Sequence, residues 1–137
     1  MWMILAAIAV AGTVGSLTDW LFMGVLFHDA YNRYPEVWRE GVVGGTNRGP
    51  IIWSSVLGYL MTAGVVGLCV MARVTSVGGG LEIGALAWLA GPPVVIIVAN
   101  MFVKMDPKIT VAHCAGYAAR LLLAGAAAGF VLARAAA

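Results

Sequence analysis

The sequence is poor in charge, cysteine and histidine, and each scarcity removes a class of function. Asp, Glu, Lys and Arg make up 10% of the 137 residues and hydrophobic residues 62%, whereas an ordinary soluble domain carries about 25% charge. With a mean hydropathy of +0.95, a water-soluble globule is excluded. Eight Lys/Arg and six Asp/Glu give a net charge of +2 and are scattered singly. Without a basic block there is no footprint for nucleic acid, and no nucleic-acid partner is expected. Cys69 and Cys114 form no Cys-x-x-Cys pair, which counts against a thiol-disulfide membrane oxidoreductase. His28 and His113 fix no spacing for further ligands, so neither metal nor haem nor any other cofactor is expected. The glycine-rich stretch 41–49 lacks the Gly-Lys-Ser/Thr ending of a phosphate loop and reads as linker.

What the chain has instead is long apolar runs. Residues 50–72 and 83–103 contain no charged side chain over 23 and 21 positions, enough to cross a hydrocarbon core of about 30 Å at about 1.5 Å per residue. The pattern predicts one all-α domain over residues 1–137, a polytopic membrane protein with a four-transmembrane-helix bundle. The helices are expected at about 3–27, 51–72, 81–103 and 109–133. The first is read as a retained helix rather than a signal peptide, because no Lys or Arg precedes it and the run continues past Asp19. Pro50 suits a first helical turn, glycines 78–80 read as a turn, and Lys104-Met105-Asp106-Pro107-Lys108 as a tight corner.

Cytoplasmic loops carry the excess of Lys and Arg. Loops one and three hold Arg33, Arg39, Arg48, Lys104 and Lys108, against Arg73 and Arg134 on the other side. Both termini are therefore expected outside. Loop one interleaves Tyr31, Tyr34 and Trp38 with charges of both signs. It reads as an interfacial aromatic segment or as a lid over a cavity mouth.

Charge inside a bilayer costs about 2.5–3.5 kcal/mol per group at a helix centre on insertion scales, so such residues face the bundle interior and have partners. Asp19 lies past the middle of helix 1 and Arg120 near the middle of helix 4, at similar depth, which predicts a buried ion pair. Gly12, Gly15, Ser16, Asp19 and Met23 share one face of helix 1, and His113, Tyr117 and Arg120 share one face of helix 4. Ser55 on helix 2 and Asn100 on helix 3 fall at overlapping depth. The candidate site is thus Asp19, Ser55, Asn100, His113, Tyr117 and Arg120, in the cytoplasmic half of the bundle. One reading makes the cluster packing glue with hydrogen bonds across helices; the other makes it a polar pocket or proton path in which His113 titrates. Pro92-Pro93 should kink helix 3 at its midpoint, and Gly125-x-x-x-Gly129 is a helix-association motif. Cys69 and Cys114 sit roughly 20 Å apart along the membrane normal at about 1.5 Å per helical residue, too far for a bridge.

The end of helix 1, Asp19-Trp20-Leu21-Phe22-Met23-Gly24-Val25-Leu26-Phe27, leads into an aromatic loop. The end of helix 3, Asn100-Met101-Phe102, is followed after a short corner by His113-Cys114-Ala115-Gly116-Tyr117 in an alanine- and glycine-rich last helix. In these features the chain resembles the domain of unknown function 1761 family. The resemblance implies a small bacterial four-helix protein of the cytoplasmic (inner) membrane, with no established activity and no mechanism.

Three functions compete. The first is binding or carriage of a small solute or proton through the polar cluster, with a homo-oligomer expected because 137 residues enclose too thin a pathway alone. The second is a membrane-embedded enzyme using His113 and Tyr117 as acid and base on a lipophilic substrate. The third is a non-catalytic accessory or scaffold subunit. The lipid bilayer is a partner in all three, and a small-molecule or lipid ligand in the first two.

Overall fold

The computed structural model describes residues 1–42 and 45–136, and among them every regular element is helical. Helix α1 (Trp2–Asp19) runs straight into a π-helical stretch, Trp20–Leu26. Loop one carries two short 3-10 turns, His28–Asn32 and Pro35–Val37. Helices α2 (Gly49–Met71), α3 (Val77–Ala90), α4 (Pro92–Phe102) and α5 (Pro107–Ala136) follow. With α3 and α4 taken as one broken span, four helical spans are long and apolar enough to cross a membrane.

The ends of these helices have local causes. Pro50 stands in the first turn of α2, where its missing N–H costs nothing. That helix closes with the Val74 N–H on the Cys69 carbonyl at 3.0 Å and the Arg73 N–H on the Val70 carbonyl at 3.1 Å. This is the paired bonding of a Schellman cap, and it puts Arg73 at φ +53°, where glycine is the usual occupant. Glycines 78–80, expected as a turn, lie in the first turn of α3 instead. The reason is Ser76, whose Oγ accepts the Gly79 N–H at 3.1 Å and caps the helix four residues earlier than glycine content alone implies. The third span breaks at Gly91 (φ −128°, ψ −86°), which puts Pro92 in the first turn of a new helix. The Gly91 N–H takes up the Trp88 carbonyl at 3.2 Å, a carbonyl that a continuous helix would have left facing the proline ring.

Helix α5 is the axis on which α1, α2, α3 and α4 all pack. Gly125-x-x-x-Gly129 is used inside the chain: it faces Gly80 and Gly84 of α3 so closely that a methyl at Gly80 would overlap the Gly125 carbonyl. A methyl at Gly129 would overlap that of Ser76. Small residues thus let the two backbones touch, the means by which helices associate where lipid is as apolar as leucine. Val65, Val66, Cys69, Leu121, Ala124 and Ala128 form the core beside this contact. Larger apolar side chains such as Trp53, Leu60, Leu86 and Val95 point outward, as expected where the solvent is hydrocarbon. Cys69 is buried, Cys114 half-buried, and both are free thiols.

Candidate functional site

The site begins with the meeting of α1 and α5. Arg120 is 1% exposed, and it donates from Nε at 3.0 Å and from Nη2 at 2.6 Å to Oδ2 of Asp19. Nη2 also reaches Ser16 Oγ at 3.2 Å, one helical turn before Asp19, and the Ser16 hydroxyl donates to the Gly12 carbonyl. The guanidinium fits because the facing positions are glycine. A Cβ at Gly58 of α2 would stand 2.5 Å from Nη1, and one at Gly15 would stand 3.3 Å from it. Asp19 is the last residue of regular α-helix before the π-helical turns. Such widened turns recur beside functional groups.

Asp19 Oδ1 and Arg120 Nη1 are both buried, and neither has a hydrogen-bond partner among the described residues. A buried unpartnered polar atom costs about 1–3 kcal/mol, more when charged, so this pair is incompletely satisfied at a place where satisfaction matters. Oδ1 faces the α5 surface at Gly116, where an added Cβ would stand 3.3 Å away. Gly116 lies in sequence between His113 and Tyr117.

From there the polar side chains continue toward loop one. The rings of His113 and Tyr117 meet edge to face with centroids 6.1 Å apart. His113 Nε2 lies 2.7 Å from the Tyr31 hydroxyl, and Tyr31 stacks at 5.2 Å against Trp38, whose indole N–H donates to the Tyr31 carbonyl. Burial, and then the nearby Tyr117, push the Tyr31 phenol well above its ordinary range, so it keeps its proton. It donates to Nε2 when the neutral His113 ring carries its proton on Nδ1, and accepts when Nε2 is protonated.

Loop one is pinned over this end of the bundle. Arg33 Nη1 donates to Asp106 Oδ2 at 2.9 Å, while Asp106 Oδ1 accepts the Lys108 N–H at 2.9 Å and so caps α5. The Lys108 N–H and then the Arg33 guanidinium hold the Asp106 carboxyl below its usual range. Lys104 pairs with Glu36 at 3.2 Å and lies over the Tyr34 ring.

Of the six expected site residues, Asp19 pairs with Arg120 and His113 meets Tyr117, with no hydrogen bond among the described residues joining one pair to the other. Ser55 and Asn100 are not joined to them by any hydrogen bond among the described residues. Ser55 donates to Ile51 in its own helix, and Asn100 is hydrogen-bonded to Thr110 across the α4–α5 corner. Two participants were not among the expected six. Ser16 lay on the right face of helix 1, and its contact with Arg120 could have been inferred from its place one turn before Asp19. Tyr31 sits in a loop with no periodicity to aim it, and only its aromatic character marked it. In comparisons with known proteins, no family model matches this chain, and no curated protein or solved structure matches it significantly.

Proposed function

We propose that this chain is a small integral membrane protein that binds or carries a proton, or a small polar solute exchanging with one, through the cluster of Tyr31, His113, Tyr117, Asp19 and Arg120. The observation that carries the reading is Asp19 Oδ1, a buried carboxylate oxygen without a partner among the described residues, on the same side of α5 as a titratable imidazole. Intramembrane ionisable residues of this kind mark ion and proton pathways. In this reading His113 passes protons between the loop-one end of the bundle and Asp19 deeper in it. Arg120 holds Asp19 in place and offsets its charge. A second copy of the chain would widen the pathway, and membership of the domain of unknown function 1761 family in a bacterial inner membrane belongs to the same proposal. So does the orientation with loops one and three in the cytoplasm, which rests on five Lys/Arg against two.

The test is proton flux in vesicles that carry the purified protein, a trapped pH-sensitive dye and an imposed pH step. Flux above that of empty vesicles, lost in Asp19→Asn and in His113→Ala, supports the reading. Flux no greater than that of empty vesicles, or unaffected by Asp19→Asn, removes it.

A further inference from the structure

We infer that residues 28–38 form a latched lid whose opening controls access to His113, the regulation of the site proposed above. The inference begins with how this segment is held. Its backbone hydrogen bonds are all local: Ala30 to Phe27, Arg33 to Ala30, Val37 to Tyr34 and Trp38 to Pro35. Among the described residues none reaches another span. What ties it to the bundle, besides the burial of Ala30, is a set of side-chain contacts: Tyr31 on His113, Arg33 on Asp106, and Glu36 and Tyr34 on Lys104.

These contacts divide into a plug and a latch. Tyr31 is the plug, since its hydroxyl occupies Nε2, the imidazole nitrogen turned toward loop one, and Trp38 backs its ring. Arg33 and Asp106 are the latch. Asp106 is 2% exposed and is fixed by its cap on α5, so the catch belongs to the rigid helix, while Arg33 is largely exposed and free to leave. Phe27, where the π-helical turns end at φ −119° and ψ 16°, and Gly41 at φ +77° flank the segment. Rotation at these two points lifts Tyr31 from His113 and breaks no backbone hydrogen bond between spans. Segments held by few side-chain contacts are the low-stability parts of a fold, which open without global unfolding.

The test reads the reactivity of His113 toward diethylpyrocarbonate, which attacks an accessible neutral imidazole. In a His28→Asn background His113 is the only histidine, because the chain has two. Modification is followed by peptide mass spectrometry on protein in vesicles at neutral pH. Arg33→Gln removes the latch from the lid side. Asp106→Asn removes its charge and keeps a side-chain oxygen to cap α5. Both variants are expected to react faster by up to about fivefold, the effect of losing a partly exposed ion pair, and by more than any fall in their melting temperature at neutral pH explains. Unchanged rates in both variants would overturn the lid. So would a rise in rate that only follows a fall in melting temperature, since that is general unfolding. The lid depends on the proposed function only for what it admits. Faster labelling of His113 with no protonation of Asp19 would leave the lid standing and remove the proton reading.

Discussion

Arg120 gives Nε and Nη2 to one and the same oxygen of Asp19, at 3.0 and 2.6 Å, and the other oxygen is buried without a partner among the described residues. A side-on pair to a single oxygen neutralises charge but leaves one acceptor open. That separates it from the fork-to-fork geometry in which Arg and a carboxylate satisfy each other. The pair therefore joins α1 to α5 and leaves one carboxylate oxygen without a partner among the described residues.

Because Arg120 is buried and Asp19 half-buried in the bundle, removing one leaves an uncompensated charge. Arg120→Met or Asp19→Leu alone is expected to cost roughly 3–5 kcal/mol, and the double variant less than either single change. Unfolding of the four proteins in detergent checks this. Additive losses would mean that the two side chains are not coupled.

The contact between α3 and α5 depends on the absence of side chains. Gly80→Val or Gly125→Val forces the backbones apart and is expected to cost about 1–3 kcal/mol or more. Gly64→Ala, at a position with nothing within 4 Å of an added Cβ, changes little. Thermal unfolding of the three variants makes the comparison, and equal losses at Gly64 and Gly80 would contradict the packing.

Arg73 holds a left-handed conformation at the end of α2, at φ +53°. Arg73→Gly relieves a strain of about 1 kcal/mol while keeping the Schellman bonds, so the variant should melt at a higher temperature than the parent. A lower one would mean that the Arg73 side chain makes a stabilising interaction outweighing its backbone strain.

Asp106 supplies a pH dependence with a definite sign. Its folded-state carboxyl is held below the ordinary value of 3.8 by the Lys108 N–H and then by Arg33. The resulting stability is present above that value and is lost as pH falls through the lower folded one. Asp106→Asn removes this contribution, so its melting temperature should fall less steeply below about pH 4 than that of the parent. Parallel acid limbs would show that Asp106 is not a source of the dependence.

Much of this was legible in the sequence, and the limits have physical causes. Two of the four spans follow from charge-free length and the other two from long apolar runs, and Asp19, His113, Tyr117 and Arg120 follow from depth and helical period, because an intramembrane charge has few places to go. Depth does not reveal rotation, however. Ser55 is at the right level but bonds back to Ile51, the local alternative open to any helical serine. Asn100 meets Thr110 because the chain turns tightly between α4 and α5. Glycines 78–80 read as a turn until Ser76 is recognised as the cap that starts the helix ahead of them. Tyr31 and Arg33 depend on a long loop folding back over α5, a tertiary event that leaves no periodic trace.

Infrared difference spectra recorded across a pH titration in lipid vesicles report directly on whether Asp19 takes up a proton through this cluster. A carboxylic acid carbonyl band that appears on acidification, is absent in Asp19→Asn and changes its midpoint in His113→Gln is the expected result. If Asp19→Asn gives the same carboxylic bands as the parent across the whole range, Asp19 is not protonated and the cluster is no proton site.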